Sequence, residues 1–193
     1  MADRKLPSPA RLHQLISYNA DSGILTWRAR QPSDFSDTKR DPEWVSKIWN
    51  ANYAGNIALG ARHSAGYLGG TIEGAKVFSH RVAVAIAHMQ WPDGQVDHIN
   101  GKRDDNRFIN LRVVTQSENN RNSAIQKNNT SGHVGVCFNM EKNRWWAYVH
   151  DDLGKRVLLG AFKQKEDAII ARKAAENEYG YHENHGRHSG CYY

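Results

Sequence analysis

The chain has 193 residues, with 26 Lys and Arg against 20 Asp and Glu and a formal net charge of +6, enough length for one to three small modules and a balance suited to a polyanionic partner. No apolar run approaches the roughly 20 residues of a membrane-crossing helix and the start, MADRKLPSP, has no apolar signal stretch, so no membrane partner and an intracellular setting are expected. Cys137 and Cys191, far apart and outside any Cys-x-x-Cys pair, exclude a disulfide framework and a cysteine-rich zinc site.

Leu6 to Tyr18, with Leu12, Leu15 and Ile16 at helical spacing, reads as a short amphipathic helix, and Asn19 to Gly23 as a turn before the strand-like Ile24 to Trp27. Gln31 to Asn56 has no clean period and reads as a long irregular connection. Tyr67 to Ile72 and Ala75 to Phe78 flank Glu73-Gly74 as a hairpin, after which Ser79 is placed to cap a helix over His80 to Met89 with Val82, Ala83, Ile86 and Ala87 on one face. Trp91-Pro92-Asp93-Gly94 is a strong turn signal.

Gln95 to Ile99 then reads as a strand, Lys102 to Asn110 as a charged loop, Leu111 to Val114 as a second strand, and Thr115-x-x-Glu118 as a capping box opening a helix to Ile125. Lys127 to Gly132, KNNTSG, is the best linker in the chain. Beyond it, Val134 to Phe138, Trp145 to Val149 and Val157 to Phe162 form a predicted three-stranded meander, with a helix over Lys165 to Tyr179 turning Ala168, Ile169, Ala171, Ala174 and Ala175 to the sheet.

The stretch from Asp97, DHINGKRDDNRFINLRVVTQSENN, together with the preceding HRVAVAIAHMQWPDGQ, resembles the HNH endonucleases of the ββα-metal (His-Me finger) class, especially phage and intron-encoded homing enzymes. The start LISYNADSGILTW is similar to the N-terminal region of the same phage proteins. Phosphodiester hydrolysis needs a base for water and positive charge for the phosphate and departing oxygen. A neutral imidazole suits the first task near neutral pH, and a carboxylate with amide and water oxygens suits magnesium or manganese for the second.

The resemblance implies His98 as general base, Asn110 bracing it by a hydrogen bond, and Asp97 with Asn119 as ligands of that divalent metal. The third signature position is Asn119 instead of His, the H-N-N order of the homing branch. Spacing alone admits Asn106 beside Asn110, and Asn120 or Asn122 beside Asn119. His80-Arg81, a pair that the family often carries, is read either as a brace or phosphate contact or as a capping surface pair.

GVCFNMEKNRWWAYVHDDLGKRVLLGAFKQKEDAIIARKAA resembles the ethylene-response-factor (plant APETALA-two-like) DNA-binding domain, whose three-stranded sheet enters the major groove. This implies Arg144, Trp146, Tyr148 and Arg156 as contacts, with Arg81, Lys102, Arg103 and Arg121 as further DNA-binding candidates. Alternation puts Trp145, Ala147 and Val149 on the helix-facing side. Val134 and Cys137 stand where the plant domains carry arginines, which reduces any base readout.

The expected fold is α+β: a ββα-metal finger core with an N-terminal helix and hairpin region, and a C-terminal three-stranded antiparallel sheet packed on one helix. The expected divisions are 1–75, a nuclease domain at 76–126, a linker at 127–132, the DNA-binding module at 133–180 and a flexible tail at 181–193. His182, His185, His188 and Cys191 match no usual zinc spacing. The function expected is cleavage of double-stranded DNA, one strand per active site, with a homodimer as one route to two cuts, in a bacterial or phage-infected cytoplasm. A non-catalytic DNA-binding regulator and a ribonuclease are the alternatives, separable by metal-dependent cleavage and by matched RNA and DNA duplexes.

Overall fold

Ser8 accepts a hydrogen bond from the Arg11 amide and Pro9 fills the first turn, so α1 starts late, at Pro9–Leu15, and passes directly into β1, Ile16–Tyr18. The computed structural model describes residues 5–126, 128–151, 153–183 and 185–187. These fall into two units, Met1–Val113 and Val114–Tyr193. The boundary precedes the capping box and does not fall at the KNNTSG segment, whose residues 129–132 form a turn: Asn129 Oδ1 accepts from Ser131 Oγ and the Gly132 amide, and Ser131 is buried.

In the first unit β1 pairs antiparallel with β2, Leu25–Trp27. The 31–56 stretch is not the irregular connection its composition suggests. It holds a short 3-10 turn, Pro32–Phe35, and α2, Pro42–Tyr53, started by Asp41 accepting from the amides of Glu43 and Trp44 with Pro42 at the first helical position. Asp41→Ala removes that cap and is expected to cost about 1 kcal/mol, read as a lower urea midpoint at unchanged slope.

A short strand β3, Ala61–Arg62, joins β4, Leu68–Ile72, and β5, Ala75–Phe78, in order β3-β4-β5. Glu73 and Gly74 both have positive φ, 47° and 82°, the turn that matches strand twist.

Helix α3, Ser79–His88, follows at once. Ser79 does not cap it; its hydroxyl donates to the Leu59 carbonyl, and Phe78 holds the cap position. Nor does α3 have one apolar face. Val82, Ala85 and Ile86 pack with Leu12, Leu15, Ile16 and Ile72, while Ala83 and Val84 pack with Val96 of β6, Gln95–His98, and Leu111 of β7, Leu111–Val114. A helix apolar all round is a buried one, and here it joins two cores and fixes the strand that ends at His98.

In the second unit the capping box is present, Thr115 and Glu118 serving each other, but α4 is short, Gln116–Asn120. It stops because the chain beyond it hydrogen-bonds to a later segment: the Ile125 amide donates to the Arg187 carbonyl, the His182 amide to the Arg121 carbonyl and the Gly186 amide to the Ser123 carbonyl. The predicted flexible tail is therefore tied down over these residues, while His188 and Cys191 lie outside the described residues.

The sheet is antiparallel in order β10-β9-β8, from β8, Val136–Asn139, β9, Arg144–His150, and β10, Arg156–Phe162. Ala147 and Val136 pack on Ala168 of α5, Lys165–Glu178, with Trp145 against them. Ala174 is exposed and does not face the sheet; the buried positions of α5 are Ala168, Arg172 and Ala175. No helix among the described residues is long and apolar enough to cross a membrane.

Candidate active site

The first unit assembles its polar centre at the end of β6. His98 is only 3% exposed, and its Nε2 lies 3.0 Å from Asn106 Oδ1. An amide oxygen can only accept, so Nε2 carries the hydrogen and the neutral ring keeps its lone pair on Nδ1. Burial holds His98 below the ordinary imidazole range, outweighing the Asn106 hydrogen bond and the nearby charge of Asp97, which pull upward. His98 is thus neutral at neutral pH, the form that accepts a proton.

The hydrogen bond expected from Asn110 is made by Asn106. Asn110, also buried, accepts from the Asn100 amide (2.9 Å) and donates to the Asp105 carbonyl (2.8 Å). It closes the loop that carries Asn106 and so acts on His98 at one remove. The loop is stiffened further: Asn100 Nδ2 donates to Asp105 Oδ2, the Arg107 guanidinium pairs with both Asp105 oxygens, and the Tyr18 hydroxyl donates to the Asn106 carbonyl. Arg107 holds the Asp105 carboxyl down at about 2.

From the other side the β1–β2 turn presses on the 106–107 peptide. A Cβ on Gly23, whose φ is +74°, would meet the Asn106 carbonyl carbon and the Arg107 nitrogen at 2.5 Å. Gly23→Ala is therefore expected to lose about 1–3 kcal/mol of stability and to slow any reaction through His98, measured by urea unfolding beside single-turnover rates. Asn106→Ala leaves Nε2 without its acceptor and is expected to cost about tenfold in rate, whereas a cost confined to Asn110→Ala would reassign the brace.

An aromatic group encloses the other flank of the imidazole. His80 meets His98 edge-on at 5.1 Å between ring centroids, Tyr67 lies 5.1 Å from His80 and 5.8 Å from His98, and Phe78 stacks on His80. His80 Nδ1 is buried with no hydrogen-bond partner among the described residues. Burial first, then the charges of His98 and Arg81, take its pKa down to about 3.

Asp97 points to the opposite strand. Its Oδ2 accepts from Arg112 Nε at 3.1 Å and Nη2 at 2.9 Å. Sequence reasoning missed Arg112, although oppositely charged residues on adjacent short strands are a readable signal. Among the described residues no three His, Cys, Asp or Glu gather as a metal cage. A hard cation that keeps waters and takes substrate oxygens needs only one or two protein ligands, and the Asp97 carboxylate fits one of them, in competition with Arg112.

Of the basic candidates in this unit, Arg81 donates its guanidinium hydrogens to the Gly94 and Pro92 carbonyls, holding the turn before β6. Lys102 is exposed on the loop, and Arg103 lies over Tyr67 at 5.0 Å while donating to the Ala65 carbonyl.

Asn119 and Arg121 belong to the second unit. Asn119 is half-buried on α4. Arg121 lines a cleft of about 730 Å³ with Tyr148, His150, Arg172 and Tyr181. Arg144, Trp146 and Tyr148 alternate along β9 with the buried Ala147 and Val149, and Arg156 stacks over the Tyr148 ring at 3.8 Å. His185, buried against Tyr181 and 3.2 Å from Arg172, is pushed down to about 4, chiefly by burial.

A family model described as HNH endonuclease matches residues 77–121. No curated protein and no solved structure matches the chain. The matched span runs from β5 through α3, β6 and β7 to α4, contains Asp97, His98, Asn106, Asn110 and Asn119, and suggests a metal-dependent nuclease.

Proposed function

We propose that the protein is a divalent-metal-dependent DNA endonuclease of the homing type that cuts one strand per active site. The observation that carries this reading is His98, buried, neutral and hydrogen-bonded to Asn106 beside the Asp97 carboxylate, within the segment that matches the HNH endonuclease model.

A magnesium or manganese ion supplies charge to the phosphate and to the departing 3′ oxygen. Asp97 would hold it, and the H-N-N order of the sequence gives Asn119 as the second ligand. His98 Nδ1 takes the proton of the attacking water, the water oxygen bonds to phosphorus, the bond to the 3′ oxygen breaks, and that oxygen takes a proton from solvent water, leaving 5′-phosphate and 3′-hydroxyl ends. Asn106 keeps Nε2 protonated, so the proton can arrive only at Nδ1. Asn110 holds the loop in which Asn106 sits.

Lys102 and Arg103, on the loop next to His98, meet backbone phosphates, and Arg121 adds charge on the second unit. Arg144, Trp146, Tyr148 and Arg156 offer the sheet face that an open major groove admits. Trp146 and Tyr148 supply flat surface and the arginines charge, which suits duplex DNA through phosphate contacts more than base edges. A break in both strands then requires two chains or two binding events.

Supercoiled plasmid with magnesium tests the reading: open circles are expected with wild-type protein and none in EDTA. Binding that is strongly salt-dependent but never cuts at any divalent metal would replace it with a DNA-binding regulator.

A further inference from the structure

We propose that Arg112 is the resident counter-ion of Asp97, held on the carboxylate until a divalent cation claims it, so that Arg112 sets how tightly the site draws its metal. The inference rests on the nuclease reading above and adds to it a residue that neither the sequence pattern nor the family match assigns.

Two guanidinium nitrogens of Arg112, at 3.1 and 2.9 Å, converge on the single oxygen Oδ2. The carboxylate side chain is 10% exposed and the arginine 32%. A carboxylate so withdrawn from water needs a compensating charge, and the guanidinium supplies it while fixing the plane of the group. Arg112 is placed by β7 and Asp97 by β6, and the Ile99 amide donating to the Asn110 carbonyl locks the two strands together just beyond. The pair therefore follows from strand pairing and not from loop chance.

Asp97 is also the one carboxylate that the reading gives to the cation. A single and a double positive charge drawing on one carboxylate repel each other. Even at water-like screening a few ångströms apart, that repulsion weakens cation binding on the order of tenfold. Arg112 is thus a positioning residue with a cost. It holds the Asp97 carboxylate aimed when no cation is bound, and it sets a threshold concentration that the cation must exceed.

The test measures manganese binding to the full chain without DNA, by calorimetry and by the loss of the free-ion spin-resonance signal. Arg112→Gln removes the charge at similar reach and is expected to bind manganese on the order of tenfold more tightly, while Arg112→Lys keeps the charge without the fork and stays within about twofold of wild type. If the glutamine variant does not fold, Arg112→Met keeps the apolar stem and reads the same quantity. Equal or weaker binding in the neutral variant, with Asp97→Ala binding no manganese, overturns the role of Arg112 and leaves the nuclease site standing. Undiminished binding in Asp97→Ala places the cation elsewhere and overturns both.

Discussion

Nicking of supercoiled DNA in magnesium is expected to slow by on the order of 10²- to 10⁴-fold on replacing His98 by alanine, with DNA affinity unchanged. The magnitude follows from removing the imidazole that the geometry presents as a base: its neighbour His80 has its pKa at about 3 and sits behind His98 in the aromatic group. The affinity should hold because the groups proposed to meet the phosphates are Lys102, Arg103 and the β9 face, and not His98.

The pH profile carries the same information with a sign. Because burial lowers the His98 pKa, the protonated, inactive fraction grows only as pH falls below the ordinary imidazole value of about 6.5. The rate limb should lie on the acid side of that value, and a limb above it would mean that another group titrates. Equal rates for wild type and the alanine variant across this range would remove His98 from the chemistry altogether.

What could be read in the residues was local. Glu73-Gly74, the Thr115–Glu118 box and the alternation along β9 each set structure within a few positions, and the structure holds them where propensity puts them. Helix α2 was also within reach, since Asp41 and Pro42 are an ordinary start signal; its exposed aromatic residues Trp44 and Tyr53 blurred the periodicity.

Non-local choices were not legible. Asn106 and Asn110 are both asparagines in one polar loop, and which of them reaches the imidazole depends on Gly23 and Tyr18 pressing the 106–107 peptide from a different hairpin. Arg81 looks like a phosphate ligand until the turn at Pro92 to Gly94 offers it two carbonyls. Arg172 looks like surface on an alanine-rich helix, yet the Val134 carbonyl and Glu176 hold it inside. Both arginines spend donors on backbone carbonyls supplied from elsewhere in their own unit.

His80 yields a second large effect, on stability. Its pKa is about 3 in the folded chain against 6.5 in the unfolded one, lowered by burial and then by His98 and Arg81. A depressed folded pKa means that the folded state refuses a proton which the unfolded state accepts. The associated stability is therefore complete above pH 6.5 and drains away as pH falls from there towards 3. From pH 8 to pH 5 the unfolded state gains about 1.5 pH units of proton binding, or about 2 kcal/mol. His80→Phe keeps a flat ring against Phe78 and gives up an Nδ1 that has no hydrogen-bond partner among the described residues. Urea unfolding at the two pH values should show the wild type losing about 2 kcal/mol more than this variant. Parallel losses would mean that His80 accepts its proton in the folded state. The aromatic group would then have to admit charge next to His98, and the neutral base on which the proposed chemistry depends would lose its shelter.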